Sequence, residues 1–385
     1  MPRLLALCFA IAAAPLLGAV DAPSAAQMMA RIEGPRDAPT LQQVMERSHV
    51  PGVSVAVIKD FEIHWAKGYG IADVEARTAV AADTLFQAAS ISKPIAAMAA
   101  MRAVQDGRFR LDDDINTLLE SWKLPDSEFT RGHAVTPRAL MSHTSGLGDG
   151  FGFPGYHPAA PRPTLVEIMN GSKPSNVGPV LMERPPFTAM KYSGGGVTLM
   201  QLAMTDLLGR PYAEMMQAVV LGPLGMSDST YEQPLPEARD RRAARAHNRE
   251  GKAMDAKWHV YPEQAAAGLW TTPTDLARFA IDIQKTALGR SSRVLTRASV
   301  LEMLTPVGVG DFAVGLTVMK MGQGWYFGHG GSNWGFQCDF IAHRIKGYGV
   351  AIMTNADGGR PVINEIRDRV AAAYGWDSLD KPVPR

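Results

Sequence analysis

Cysteine is nearly absent. Cys8 and Cys338 are the only two in 385 residues, too few for a disulfide scaffold. An excess of one charge is missing too: 39 Lys plus Arg stand against 38 Asp plus Glu. A net charge of +1 gives no electrostatic case for nucleic acid or an anionic membrane surface. Past the N-terminus, no stretch reaches the roughly 18 uncharged apolar residues that a spanning helix needs. The glycines have no strict period and 27 prolines interrupt helices, which excludes a collagen-like or coiled-coil rod. There is no G-x-S-x-G elbow, Walker A loop, H-E-x-x-H or G-x-G-x-x-G. Asp112-Asp113-Asp114-Ile115-Asn116 hints at a calcium loop, but Thr117 stands where Gly is needed and Lys123 where Glu is needed. The histidines show no zinc-type spacing, so no metal or cofactor is expected.

What is present is ordinary globular composition, with 46% hydrophobic and 20% charged residues. That excludes a disordered chain and suffices for one large core or two lobes. The N-terminus reads as an export signal over residues 1–19: Arg3, then an apolar run from Leu4 to Val20, with small residues at Gly18 and Ala19. An uncleaved anchor is the alternative, disfavoured by Pro15 and by the shortness of the run. A soluble protein of an exported compartment, periplasmic or secreted, is expected.

Residues 53–59 alternate like a strand, and Glu62 to Tyr69 reads as its hairpin partner. Ser90 to Gln105 is rich in Ala and Met and has Gly107 just past its end, which predicts a helix. Residues 120–195 are dense in Gly, Pro, Ser and His and predict short helices and long loops. Leu199 to Leu208 and Tyr212 to Val220 look helical. The basic run Arg239 to Arg249 reads as a solvated helix face. Thr272-Pro273-Thr274-Asp275 is a helix start, with a threonine cap, proline at the first position and an acid in the first turn. Four strand-like runs follow, 312–319, 325–329, 335–342 and 347–354, then a closing helix from Pro361 to Tyr374. Strands at both ends and helices between predict an α+β architecture: one antiparallel sheet flanked by helices, with an inserted, mainly helical lobe.

One constellation carries chemistry. Ser90-Ile91-Ser92-Lys93 puts a serine and a lysine three apart, on one face of a helix, at its N-terminus. A lysine beside a serine can take the hydroxyl proton when burial favours its neutral form. Alone the motif is weak: a helix-capping serine fits it equally, and Ser378-Leu379-Asp380-Lys381 matches it in a proline-flanked tail. Lys191-Tyr192-Ser193-Gly194-Gly195-Gly196 adds a tyrosine in a glycine-rich turn, a side chain that can relay protons beside cations. Phe327-Gly328-His329-Gly330-Gly331-Ser332 adds a histidine on a strand whose glycines admit a close backbone approach.

In this order the three motifs resemble the serine β-lactamase and penicillin-binding superfamily, in its class C-like branch. That branch includes D-alanyl-D-alanine peptidases, D-aminopeptidases and β-lactamase-like esterases. Gly107 to Asp113, Leu140 to Leu147 and Ala267 to Phe279 add to the resemblance, which spans roughly 40–360. It implies the β-lactamase/transpeptidase-like fold and a catalytic domain over 38–385. Within it an α/β lobe would take about 38–110 and 265–385, and a helical lobe about 111–264. It implies Ser90 as acylated nucleophile, Lys93 and Tyr192 as managers of its proton, and His329 in the place of the Lys or His of the K/H-x-G strand. The backbone N–H groups of Ser90 and Ser332 would form the oxyanion hole, and Gly194, Gly330 and Gly331 would line the substrate. Two departures bear on substrate. Gly194 stands where the family's Tyr-x-Asn places an amide side chain. His329 stands where class C β-lactamases carry lysine, and a neutral imidazole attracts a carboxylate less than an ammonium does. Small esters or amides are therefore expected to be acyl donors ahead of D-peptides and β-lactams. A penicillin-binding sensor with little turnover is the alternative of another class. The expected partner is a small ester or peptide substrate, with no nucleic acid and no stable membrane partner. His143 reads chiefly as a hydrogen-bonded structural residue. Trp325, Tyr326, Trp334 and Phe336 read as sheet core, and Cys338 as a small buried apolar residue.

Overall fold

Two helices lead into the sheet, seen in a computed structural model that describes residues 23–148 and 153–377. The export-signal reading of 1–19, Cys8 and the Ser378–Lys381 motif lie outside the described residues. The two leading helices are α1 (Ala25–Glu33) and α2 (Leu41–Arg47). Ser24 and Thr40 cap them through reciprocal bonds with Gln27 and Gln43. Strands β1 (Gly52–Lys59), β2 (Glu62–Asp73), β3 (Thr78–Ala79) and β4 (Phe86–Gln87) follow, then a 3₁₀ turn (Ala89–Ile91) that runs into α3 (Ser92–Gln105). The middle of the chain carries α4 (Pro137–Met141), α5 (Leu165–Asn170), α6 (Gly194–Leu208) and α7 (Tyr212–Met216). It continues through a π-helical stretch (Gln217–Leu221) to α8 (Gly222–Leu224), α9 (Glu237–Asp240) and α10 (Gln264–Ala267). After β5 (Trp270–Thr271) come α11 (Pro273–Ala287) and α12 (Arg297–Met303). Strands β6 (Thr317–Met321), β7 (Gly324–Asn333), β8 (Phe336–His343) and β9 (Gly349–Thr354) and the closing α13 (Arg360–Ala373) end the fold.

Seven strands form one antiparallel sheet in the order β3-β2-β1-β9-β8-β7-β6. The two ends of the chain meet at its centre, where Val53 pairs with Thr354 and Ala56 with Ala351. Side chains alternate across a strand, so β1 serves two cores. Val53, Val55 and Val57 pack towards α1, α2 and α13, while Ala56 and Ile58 join the larger core with α3, α6 and α11. Burial on both faces explains why β1 is apolar from Val53 to Ile58 except for the buried Ser54. Each fully buried valine-sized side chain adds about 1.5–3 kcal/mol. The expected α+β architecture is the observed one.

Several local expectations shift. The Thr272 cap forms as expected, its side chain accepting from the Asp275 N–H at 3.2 Å. The strand expected at 312–319 begins only at Thr317, because Phe312 turns inwards against rings from other segments. Helix α6 starts earlier than its apolar pattern, since Ser193 caps the glycines through the Gly196 N–H at 2.8 Å. The basic run is not one helix face. It leaves α9 at Asp240 and crosses the sheet edge, with Arg242 on Asp83 and Asp228 and Arg245 on Asp73 and Glu75. Trp325 is 46% exposed rather than core, whereas Tyr326, Phe336 and Cys338 are buried. Among the described residues no helix is long and apolar enough to cross a membrane.

Candidate active site

Ser90 lies in the 3₁₀ turn just before α3, two residues ahead of its first helical residue, Ser92. The turn is held in an unusual shape. Ala89 has φ of +50°, a left-handed conformation that side chains rarely adopt. Such strain persists only where the surroundings enforce it. Here the Ser92 hydroxyl donates to the Ala89 carbonyl at 2.6 Å and accepts from the Leu269 N–H at 2.9 Å. The Tyr231 hydroxyl donates to the Ser92 carbonyl at 2.7 Å. The Ala88 carbonyl accepts from both the Ile91 N–H and the Cys338 thiol.

Strand β7 passes against this turn. Its pairing with β6 stops at Gly328, leaving the stretch from His329 to Asn333 to face the turn instead. The approach is so close that a Cβ on Gly331 would lie 2.4 Å from the Ala88 carbonyl oxygen and 2.6 Å from Cys338 Sγ. Gly331 is thus the residue that lets β7, with Ser332 next along it, reach the serine turn. Gly330 faces the other side, towards Asp339 and Arg360.

Lys93 is buried, at 2% exposure. Its Nζ donates to Ser90 Oγ at 3.0 Å and to the Ala266 carbonyl of α10 at 2.7 Å. Both partners are neutral, and among the described residues no carboxylate forms a salt bridge with Lys93. A small apolar pocket lies behind it, lined by Ala96, Ala97, Met200 and Met204 among others. Tyr192 precedes the cap of α6, and Lys93 Nζ sits 4.9 Å from its ring centroid. Gly194 is buried as the first residue of α6 and presents no side chain at the position where the family carries asparagine.

His329 completes the group, its ring centroid 6.1 Å from that of Tyr192. Its Nδ1 lies 2.5 Å from the Gly330 carbonyl oxygen. A carbonyl only accepts, so Nδ1 carries the proton and Nε2 is an acceptor, buried and without a hydrogen-bond partner among the described residues. Burial, and then the nearby Lys93 charge, push the His329 pKa down to about 3 against the opposing Gly330 carbonyl. His143 shows the same trend. Burial first, then Lys93 and His329, hold it well below the usual histidine range. Both imidazoles are therefore neutral at physiological pH.

The structure thus brings Ser90, Lys93, Tyr192 and His329 together, with Gly331 and Ser332 alongside. Phe312 contacts the rings of His143, Tyr192 and His329, and neither it nor the Ala266 carbonyl was marked by any motif. Only the Ser-His-Thr-Ser-Gly stretch hinted at His143. Among the described residues no group of three or more His, Cys, Asp or Glu could hold a metal ion. The arrangement is a hydroxyl beside a buried amine, flanked by a phenol and two neutral imidazoles. It can move a proton away from Ser90 Oγ and return it.

The Beta-lactamase family model matches residues 38–374. The chain is 27% identical over 327 residues to Penicillin-binding protein 4 of Amycolatopsis lactamdurans, covering 81% of this chain and 82% of that one. Its fold resembles the octameric penicillin-binding protein homologue from Pyrococcus abyssi, with a TM-score of 0.72, 24% identity, and 89% and 78% of the two chains covered. It also resembles the D-amino acid amidase of Ochrobactrum anthropi SV3, solved with L-phenylalanine amide. There the TM-score is 0.64 at 25% identity, covering 87% of this chain and 97% of that one.

Proposed function

This chain belongs to the β-lactamase family, and we propose that within it the protein is a serine hydrolase forming an acyl-enzyme on Ser90. Its proposed acyl donors are small carboxylic esters or amides. The observation that carries this reading is the position of Lys93 Nζ, 3.0 Å from Ser90 Oγ and held from the other side by the Ala266 carbonyl. In the proposed cycle Ser90 Oγ bonds to the substrate carbonyl carbon as the C=O electron pair moves to oxygen. The N–H groups of Ser90 and Ser332 receive that oxyanion, and one such donor is typically worth about 3 kcal/mol. The serine proton passes to the Lys93 and Tyr192 pair, then to the leaving group as its bond to the acyl carbon breaks. Water repeats the attack, gives its proton to the same pair, and Ser90 is restored.

His329 supports neutral substrates. A carboxylate needs a donor or a positive charge, and this neutral imidazole supplies neither, its Nδ1 proton being taken by the Gly330 carbonyl. Gly194 likewise offers no side-chain amide to a substrate carbonyl. Both features weigh against penicillins and against peptides ending in a free carboxylate. Hydrolysis of D-amino acid amides is the second reading, favoured by the likeness to the D-amino acid amidase. An exported location belongs to the same proposal. The test is steady-state turnover of a short-chain p-nitrophenyl ester beside Ser90→Ala, followed by D-amino acid amides and a chromogenic β-lactam. Turnover abolished by Ser90→Ala supports the reading. Equal turnover in both proteins, or none, overturns the esterase proposal.

A further inference from the structure

Tyr192 lies on a connecting segment, in neither helix nor strand. Its ring nonetheless has to keep one position beside Lys93 if it is to relay a proton. Both neighbours of Tyr192 in the chain hydrogen-bond to a single residue. The Lys191 N–H donates to the His143 carbonyl at 2.8 Å, and the Ser193 N–H donates to His143 Nδ1 at 3.1 Å. Between these two bonds the His143 imidazole lies on the Tyr192 ring, with centroids 4.2 Å apart and planes at 31°. Phe312 and His329 meet the same ring at centroid distances of 6.0 and 6.1 Å.

We propose that His143 is a positioning residue for the proton relay, clamping Tyr192 by backbone and ring against Lys93. This rests on the reading of Tyr192 as part of that relay. The clamp requires a neutral imidazole, because Nδ1 must keep its lone pair to accept from Ser193. Complete burial beside Lys93 maintains that state. The segment holding His143 is itself fixed. His143 has φ of +59°, Ser142 and Thr144 join hydroxyls at 2.8 Å, and the Thr144 carbonyl accepts from the Phe187 N–H at 2.7 Å. Backbone strain of this kind, enforced from both sides, fits a residue whose position matters.

Three variants of the full chain test this by ester hydrolysis, with rates normalised to titrated active sites. Tyr192→Phe sets the loss expected when the relay itself is removed. His143→Phe keeps a ring but has no acceptor. His143→Asn keeps an acceptor near Nδ1 and tolerates a positive φ. A misplacement of about 1 Å in a catalytic group lowers rates about 10²-fold, so His143→Phe is expected to lower kcat about 30–100-fold with KM within about threefold. The limbs of its pH–rate profile should also move, which a merely structural role would not cause. His143→Asn should stay within about tenfold of wild type in kcat, which is less than about 1.4 kcal/mol. Unchanged kcat in His143→Phe, or a loss seen only as fewer titratable sites, overturns the clamp. If His143→Phe does not fold, His143→Asn decides: a kcat as low as that of Tyr192→Phe overturns it. If Tyr192→Phe keeps full kcat, the relay reading falls instead, and that outcome is separately visible.

Discussion

Replacing Gly331 by alanine should wedge β7 away from the serine turn. The added Cβ would sit 2.4 Å from the Ala88 carbonyl oxygen, 2.6 Å from Cys338 Sγ and 3.1 Å from the Ala89 Cβ. Contacts under 3.0 Å are not found for real Cβ atoms, so the gap must open by about 0.6 Å or more. The first obstacle is main chain, anchored by the Ile91 N–H and by the Ala88 N–H on the Leu269 carbonyl, and it cannot rotate aside. Overpacking of this kind costs about 1–3 kcal/mol in stability. The same displacement separates Ser332 from Ser90, and shifts near 1 Å cost about 10²-fold in rate. The assay is urea unfolding together with ester turnover per titrated site. Gly330→Ala is the comparison for stability. On the adjacent position the nearest atoms to its Cβ would be the ends of the Asp339 and Arg360 side chains, at 3.2 Å and beyond. It should cost less than Gly331→Ala. Wild-type stability and kcat in Gly331→Ala would refute the argument that this glycine sets the approach of β7 to the serine.

Three further predictions follow from neighbouring features. Lys93→Met, which keeps an unbranched apolar side chain one atom shorter and without the amine, should reduce kcat/KM by about 10²–10⁴-fold, the range for losing a general base, while circular dichroism stays native; turnover within about threefold of wild type would remove Lys93 from the mechanism. Glu263 is buried, neither carboxylate oxygen has a hydrogen-bond partner among the described residues, and burial pushes its pKa up to about 8. The folded state therefore holds a proton that the unfolded chain releases above about pH 4.5, and stability falls as pH rises from there through about 8. Glu263→Gln should flatten that slope, so its stability relative to wild type should rise by on the order of a few kcal/mol between pH 5 and pH 9; parallel slopes in urea titrations would contradict this. His329→Lys should raise kcat/KM for an ester carrying a free carboxylate, relative to its neutral methyl ester, by about tenfold, which corresponds to about 1.4 kcal/mol. An unchanged ratio would show that residue 329 does not read substrate charge.

Much of this protein is written locally in its chain. The alternation in β1 and the threonine cap of α11 follow from short-range rules, and both appear where those rules put them. The sequence places Ser90 three residues before Lys93, Tyr192 before a capped glycine-rich helix, and His329 among strand glycines. The family resemblance of these motifs identified the superfamily and its fold.

Other features were decided by parts of the chain that meet only in three dimensions. Lys93 is held by the carbonyl of Ala266, 173 residues away, and every residue has a carbonyl, so no side-chain pattern marks that partner. Ala89 is left-handed because Ser92, Leu269, Tyr231 and Cys338 enforce the turn around it. Trp325 reads as core by composition, yet its place near the end of a strand leaves it exposed. The basic run reads as a helix face until Asp73, Asp83 and Asp228 arrive beside it from distant segments. His143 looks structural on its own and becomes part of the site only because the segment bearing Tyr192 folds back across it. Local hydrogen bonds and side-chain periodicity are set by neighbours in sequence. Burial, charge state and the approach of one backbone to another depend on which distant segments pack together.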